Sequence, residues 1–491
     1  MANLLLRLGL PLALLALLYQ AILRDLIFVT LAVGRKIQPL SDFSYTCRRI
    51  HDERLQACED MWLSDATRQL FLACSTSISR SQWMPNVAKF NHTGRSLSDA
   101  VIALDLDKPV SRNGQLTFNY RVLSTFGYPI DTHDDPTMQV VGLTGIDSPN
   151  KIELLLNNNK PSRDATTGDI VDNAVHGANT TIEHFLTGPG ATQMKHVKTY
   201  THPSIATPNN IATAAGMRGF YITNDHGSHK TGFMHTLSDL IGLADVTYCD
   251  TSTSDIKCTK VAGGLSFANG LLYHPEHDLL YVPSSGRGNI HVYKPGYTPG
   301  STSPSLREVH EISIPYPLDN LSLDTYTGDI YAAAMPMLSE TMRAIDSPFN
   351  DSAPAAAFRI RLMSSTSEKL TYDIEKVLED VGGPDSPLPA TTTVLRDGKT
   401  GRLFLSGKSD CSHFSFHSVQ PPSTVLNEVF PLYAQGDHRR DAHARHYRHS
   451  ARDSILKHPS LGLVKQLRKT CFFKITTGRL ADLFLGNSIK T

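Results

Sequence analysis

Short apolar runs, each headed by polar residues, recur along most of the chain. Glu59-Asp60 heads Met61-Trp62-Leu63, and after a turn at Ser64 to Arg68 comes Leu70-Phe71-Leu72. Thr144-Gly145-Ile146-Asp147 is followed by a turn at Ser148 to Asn150 and the run Ile152 to Leu156. Asn209-Asn210-Ile211 leads, past Gly216, to Phe220-Tyr221-Ile222. Asn269-Gly270-Leu271-Leu272-Tyr273 leads, past Pro275 to Asp278, to Leu279-Leu280-Tyr281-Val282. Asp319-Asn320-Leu321-Ser322-Leu323 turns at Thr327-Gly328-Asp329 into Ile330-Tyr331. Thr393-Val394-Leu395 turns at Asp397 to Gly401 into Leu403-Phe404-Leu405. Each copy reads as a β-hairpin, because turn residues separate two β-rich runs. A lone hairpin is marginal in water and needs neighbours. Six spaced copies predict an all-β fold, a six-bladed β-propeller with long inserted loops; an irregular β-sandwich is the alternative.

The ends of the chain depart from this pattern. Leu4 to Leu18 is nearly all Leu and Ala, and apolar character resumes from Leu26 to Val33. Leu17, Leu18, Tyr19 and Gln20 make a poor cleavage site, so residues 1–40 read as a signal anchor or transmembrane helix. A cleaved signal of a secreted protein is the alternative. Residues 41–420 read as the propeller and 421–491 as an irregular, disordered tail dense in His and Arg. Formal net charge is zero, which removes any bulk electrostatic case for nucleic acid.

An anchor or signal places the folded region in the secretory pathway, on the lumenal or extracellular side, where disulfides persist. Among seven cysteines, Cys249 and Cys258 flank a polar loop at a spacing that staples a hairpin, as do Cys58 and Cys74. Cys47 and Cys411 stand near the two ends of the folded region and would close it; free buried thiols are the alternative. Asn91, Asn179 and Asn350 head glycosylation sequons.

The polar heads carry the candidate chemistry. In a propeller, equivalent positions of the blades meet near one end of the central channel. Glu59, Asn209, Asn269, Asp319 and Asn320 would converge there. All are hard oxygen donors, a set that suits Ca²⁺ with its 6–8 oxygen ligands rather than Zn²⁺. The competing reading of each residue is a simple turn former ahead of a strand.

From about Cys47 to Phe416 the chain resembles the serum paraoxonase/arylesterase family. The resemblance rests on Phe220-Tyr221-Ile222-Thr223-Asn224-Asp225-His226, on Phe267-Ala268-Asn269-Gly270, on Leu318 to Asp324, and on the paired acids Glu59-Asp60. It implies two calcium ions. Glu59, Asn209, Asn269, Asp319 and Asn320 would hold the catalytic one. Asp60, Asn210 and the carbonyl of Ile146 would hold the structural one, with Asn210 standing where the family usually has Asp. It also implies an uncleaved N-terminal helix that docks on lipid, a bridge between the first and last blades, and hydrolysis of lactones and aryl esters. The family's histidine pair is replaced: Thr144 matches the first and Lys160 the second. Thr144 cannot accept a proton near neutral pH, and Lys160 does so only with a strongly lowered pKa. Glu59 is then the candidate base, with His226 and His229 as substitutes or as structural histidines.

Three functions follow from these residues. The first is a calcium-dependent lactonase or arylesterase. The second is a non-catalytic calcium propeller, a scaffold or ligand-binding protein. The third is a different propeller enzyme, strictosidine-synthase-like, working without calcium.

Overall fold

The computed structural model describes residues 2–420 except 51, 113–114, 130–134, 215–217, 366–368, 384–385, 389 and 408–415. The expected tail 421–491, Cys411 and the turn at Gly216 lie outside the described residues.

The expected hairpins form. Trp62 pairs with Phe71, Leu154 with Gly145, Ile211 with Ile222, Tyr273 with Leu280, Ser322 with Tyr331, and Leu395 with Phe404. Each hairpin is extended into an antiparallel sheet. Five sheets have four strands, and one has five because the short strand Ser124–Phe126 adds in parallel to its edge. In one sheet the outermost strand, Thr46–Ile50, comes from the N-terminal side and pairs with Phe416–Gln420. The arrangement is an all-β propeller.

The innermost strands are β1 (Asp60–Ser64), β2 (Val140–Ser148), β3 (Pro208–Thr213), β4 (Leu272–His274), β5 (Leu318–Leu323) and β6 (Thr391–Arg396). Each touches the next, and β6 returns to β1. The continuous apolar runs follow from burial on both faces. On Gln69–Cys74, Leu70 and Leu72 pack with Leu395 and Phe404 of one neighbouring sheet. Phe71 and Ala73, on the opposite face, pack with Val140, Leu143 and Leu154 of the other. Burying a Leu or Phe side chain contributes roughly 1.5–3 kcal/mol, so the core is distributed between blades rather than gathered at one centre.

Polar ties join the same neighbours. Arg68, just beyond β1, reaches the buried carboxylate of Asp397, just beyond β6, at 2.7 Å. Disulfides link Cys58 to Cys74 and Cys249 to Cys258. Cys47 has no disulfide partner among the described residues, and burial, then Asp380, pushes its thiol up to about 12.

The N-terminus is an apolar helix, Ala2–Leu18, continued by wider turns at Tyr19–Leu23 and Leu26–Thr30. Leu10–Thr30 is long and apolar enough to cross a membrane, and little of it is buried. Its far end rests on the propeller. Val29 and Ala32 are buried, and the Arg35 guanidinium lies 4.2 Å from the Tyr316 ring centroid and donates to the carbonyls of Pro315 and Pro336.

Candidate functional site

The heads of β1, β3 and β5 and the segment before β4 converge on one end of the channel. Glu59, Asn269, Asp319 and Asn320 are fully buried, and Asp60, Asn209 and Asn210 nearly so. Asn320 ties three blades together. Its Nδ2 donates to the Glu59 carbonyl at 3.2 Å and to Thr393 Oγ1 at 3.0 Å, while its Oδ1 accepts from Asn210 Nδ2 at 2.7 Å. Asn210 Nδ2 also donates to Asp60 Oδ2 at 3.1 Å. Asn269 joins this layer through backbone. Thr223 Oγ1 donates to its carbonyl, and a Cβ on neighbouring Gly270 would stand 2.6 Å from Asn320 Cα. Residues far apart in the chain therefore share one small volume.

Two features of this layer need an account. The Asn269 amide is fully buried, yet neither Oδ1 nor Nδ2 has a hydrogen-bond partner. Asn209 Oδ1 is likewise buried without one, although its Nδ2 donates to Asp225. Such groups cost roughly 1–3 kcal/mol each when left unsatisfied. In addition, Glu59 and Asp60 are adjacent buried acids, and burial, then the Glu59 charge, pushes the Asp60 carboxyl up to about 8. Orphaned amide oxygens beside the acids Glu59, Asp60 and Asp319 make a donor set that fits a hard cation with several oxygen ligands. The backbone is also strained on approach. Ala57, two residues before Glu59, and Phe267, two before Asn269, have φ of 44° and 51°.

Asp60 sits one level deeper. Its Oδ2 accepts from the Leu143 N–H at 2.8 Å, and its Oδ1 from the Met61 N–H at 2.8 Å. The contact with Leu143 corrects one expectation. Ile146, matched to the Asp60 level from sequence, lies three residues further along β2, opposite Glu153. Thr144 is displaced in the same direction and lines the channel beyond Asp60, away from Glu59. The residues level with Glu59 and Asp60 are Val141, Gly142 and Leu143. A Cβ on Gly142 would stand 2.4 Å from the Asn209 carbonyl oxygen and 2.8 Å from Asn157 Nδ2, so the bare backbone is required. Strand β2 carries both Val-Gly-Leu and Thr-Gly-Ile, and the polar Thr drew the sequence match to the wrong triplet.

The other matched position is also occupied elsewhere. Lys160 Nζ donates to the Asp135 carbonyl at 2.9 Å and lies 5.5 Å from the Tyr128 ring centroid. His226 is buried, stacked on His235 at 3.6 Å, with Nδ1 against Ser238 Oγ and Nε2 against the Asn86 carbonyl. These contacts are those of a structural histidine. His235 is driven down to about 4 by burial and then by His226. The His229 N–H donates to the His226 carbonyl, which holds the same turn.

A covering layer was missed from sequence. Asp225 accepts from Asn86 Nδ2 at 2.6 Å as well as from Asn209 Nδ2 at 3.2 Å. Asn86 accepts from Asn159 Nδ2 at 3.2 Å, and Trp83 Nε1 donates to the Asn159 carbonyl at 2.8 Å. Asn86, on a turn outside any repeat, thus holds the residue that orients Asn209. Asp225 lay inside a recognised motif, but nothing in the strand pattern marked its side chain as the partner of Asn209. The expected glycosylation residues Asn91, Asn179 and Asn350 are all exposed.

Comparison with known proteins agrees with the resemblance. Residues 162–382 match the family model described as Arylesterase. Human serum paraoxonase/arylesterase 2 is 28% identical over 193 residues, 39% of this chain and 50% of that protein. Human serum paraoxonase/arylesterase 1 is 28% identical over 210 residues, 41% of this chain and 55% of that protein. Rabbit (Oryctolagus cuniculus) serum paraoxonase/lactonase 3 is 28% identical over 190 residues, 38% and 49% of the two chains. The chain thus spans about half the length of the curated relatives it matches. Among solved structures, a luciferin-regenerating enzyme aligns with a TM-score of 0.40 at 12% identity, covering 77% of this chain and 96% of that one. The calcium-binding protein regucalcin from Agrobacterium tumefaciens aligns with a TM-score of 0.35 at 14% identity, covering 77% and 94%. The chain thus matches the Arylesterase family model over residues 162–382 and is similar over part of its length to the serum paraoxonases/arylesterases.

Proposed function

We propose that the chain is a calcium-dependent hydrolase of lactones or aryl esters. The observation that carries this reading is the pair of orphaned oxygens, Asn209 Oδ1 and Asn269 Oδ1, buried beside Glu59, Asp319 and Asn320. Those five residues would hold a catalytic ion. Asp60 and Asn210, with backbone from β2, would hold a second, structural one; the Ile146 carbonyl is too far along that strand to serve. When bound, the catalytic ion supplies Lewis acidity to an ester carbonyl and charge to offset the developing oxyanion.

The chain's own residues then divide the work. Asn86 and Asp225 fix the amide of Asn209, and Thr393 with Asn320 fixes the Glu59 backbone. Glu59 is the candidate base for water. With β2 registered by Leu143, the first family histidine position falls on Val141, which holds no proton; Thr144 and Lys160 do not replace it. This substitution favours a second reading, a calcium-binding propeller that binds ligands without turning them over.

The wider assignment follows. Counting the five-stranded sheet as a blade gives a six-bladed propeller over residues 41–420, with residues 1–40 as a membrane anchor and the propeller lumenal or extracellular. The paired cysteines and the exposed sequons support that compartment.

A panel of lactones and phenyl esters assayed with calcium and with chelator tests the proposal. Turnover abolished by chelator and by Asn269→Ala supports hydrolysis. Calcium binding without turnover on any substrate establishes the second reading. Turnover indifferent to chelator overturns both.

A further inference from the structure

Beyond the Asp60 level the channel widens into a cavity of about 440 Å³. That volume falls within the range of small-molecule sites, roughly 300–1,000 Å³. The innermost strands give it a direction. Each runs from a buried head toward solvent: Asp60 to exposed Asp65, Leu143 to half-buried Asp147, Leu321 to exposed Thr325. The cavity therefore opens on the face opposite Glu59, and Asp60 and Asn210 at its inner end are shared with the level proposed for the structural ion.

Its walls are half-exposed apolar side chains: Trp62, Leu63, Leu272 and Leu323, which pack on one side against the cores between blades, and Ile146. Among the described residues no Lys, Arg or His lines it, whereas Asp60 stands at its inner end and Asp65 and Asp147 at its mouth. The two mouth acids differ. Asp65 lies 3.3 Å from the Arg68 guanidinium. Among the described residues Asp147 Oδ2 accepts from neutral donors, Ser64 Oγ at 2.7 Å and the Ala66 N–H at 2.9 Å, which orient its carboxylate without a countercharge. Arg68, which meets Asp65 at the mouth, is also held by Asp397 and Asp107. A low-dielectric channel with one sign of charge at its rim concentrates ligands of the other sign.

We propose that this cavity binds a compact organic cation, an alkyl- or arylammonium. Its charged end lies at the mouth beside Asp147 and its apolar body runs inward between Leu63, Ile146, Leu272 and Leu323. Trp62 presents an aromatic surface to such a cation. The ammonium position at the mouth does not use Asp60 or Asn210, the residues that the cavity shares with the proposed ion level.

Trp62 is also the reporter. The chain has two tryptophans, so in a Trp83→Phe background the intrinsic fluorescence belongs to Trp62. The full chain in detergent is titrated with benzyltrimethylammonium and with its neutral isostere neopentylbenzene. The expected result is a saturable change with the cation, and at least tenfold weaker binding of the isostere. Asp147→Asn weakens the cation at least tenfold, and Leu323→Trp, which fills the cavity, removes binding; melting temperatures identify variants that fail to fold. Absence of a saturable change in the folded Trp83→Phe protein overturns the proposal, as does equal affinity for the isostere. Calcium producing the same change in competition with the cation would make the channel an ion path and also overturn it.

Discussion

Replacing Asn269 by leucine is expected to act in opposite directions with and without calcium. Leucine has nearly the shape of asparagine and removes two buried polar atoms that have no hydrogen-bond partner. Each such atom costs roughly 1–3 kcal/mol. In chelator, Asn269→Leu therefore raises unfolding stability by about 2–6 kcal/mol for the two atoms, the lower end applying if the amide rotates to find water. With calcium at a hundred times its dissociation constant, the wild type gains about 2.7 kcal/mol by mass action. The variant lacks the ligand oxygen and gains little. The backbone contributions of Asn269, an N–H to Pro283 and a carbonyl accepting from Thr223, survive the change. Urea unfolding followed by circular dichroism, run in chelator and in calcium, reads both values. A variant less stable than wild type in chelator, or one that keeps the full calcium increment, would refute the reasoning that the orphaned amide exists to meet a cation.

Other consequences are as direct. Gly142→Ala places a methyl group 2.4 Å from the Asn209 carbonyl, so Asn209 must shift and calcium affinity measured by isothermal titration falls at least tenfold. Burial and the Glu59 charge raise the folded-state carboxyl of Asp60 to about 8. A raised folded pKa stabilises below the unfolded value and is lost as pH rises through the folded one, so the calcium-free protein weakens between about pH 4 and pH 8. Asp60→Asn flattens that part of the denaturation profile; an unchanged profile contradicts the assignment. Arg68→Ala leaves the buried Asp397 carboxylate without its cation between neighbouring blades and destabilises by about 3 kcal/mol in urea unfolding, the lower end for a broken buried pair because Thr400 still donates to it.

Much of the fold was legible because its signal is local. Turn residues between two apolar runs specify a hairpin whatever surrounds it, and all six such segments pair as expected. The strand heads were legible for a related reason: Glu59, Asn269 and Asp319 occupy one register, and equivalent registers meet in a ring. What escaped depends on contacts between blades. Thr144 and Val141 lie on one strand three residues apart, and only the Leu143 N–H to Asp60 bond decides which level faces Glu59. Asn86 belongs to no repeat, so its hold on Asp225 was invisible until the covering turn was placed. The cavity beyond Asp60 was equally hidden, since its half-exposed leucines read in sequence as ordinary core.

The most direct test of the central claim is equilibrium dialysis of the full-length protein against radioactive calcium. The account predicts saturable binding that is lost or weakened at least tenfold in Glu59→Gln and Asp319→Asn while the circular dichroism spectrum is kept. Absence of binding at millimolar calcium, or undiminished binding in both folded variants, would contradict it.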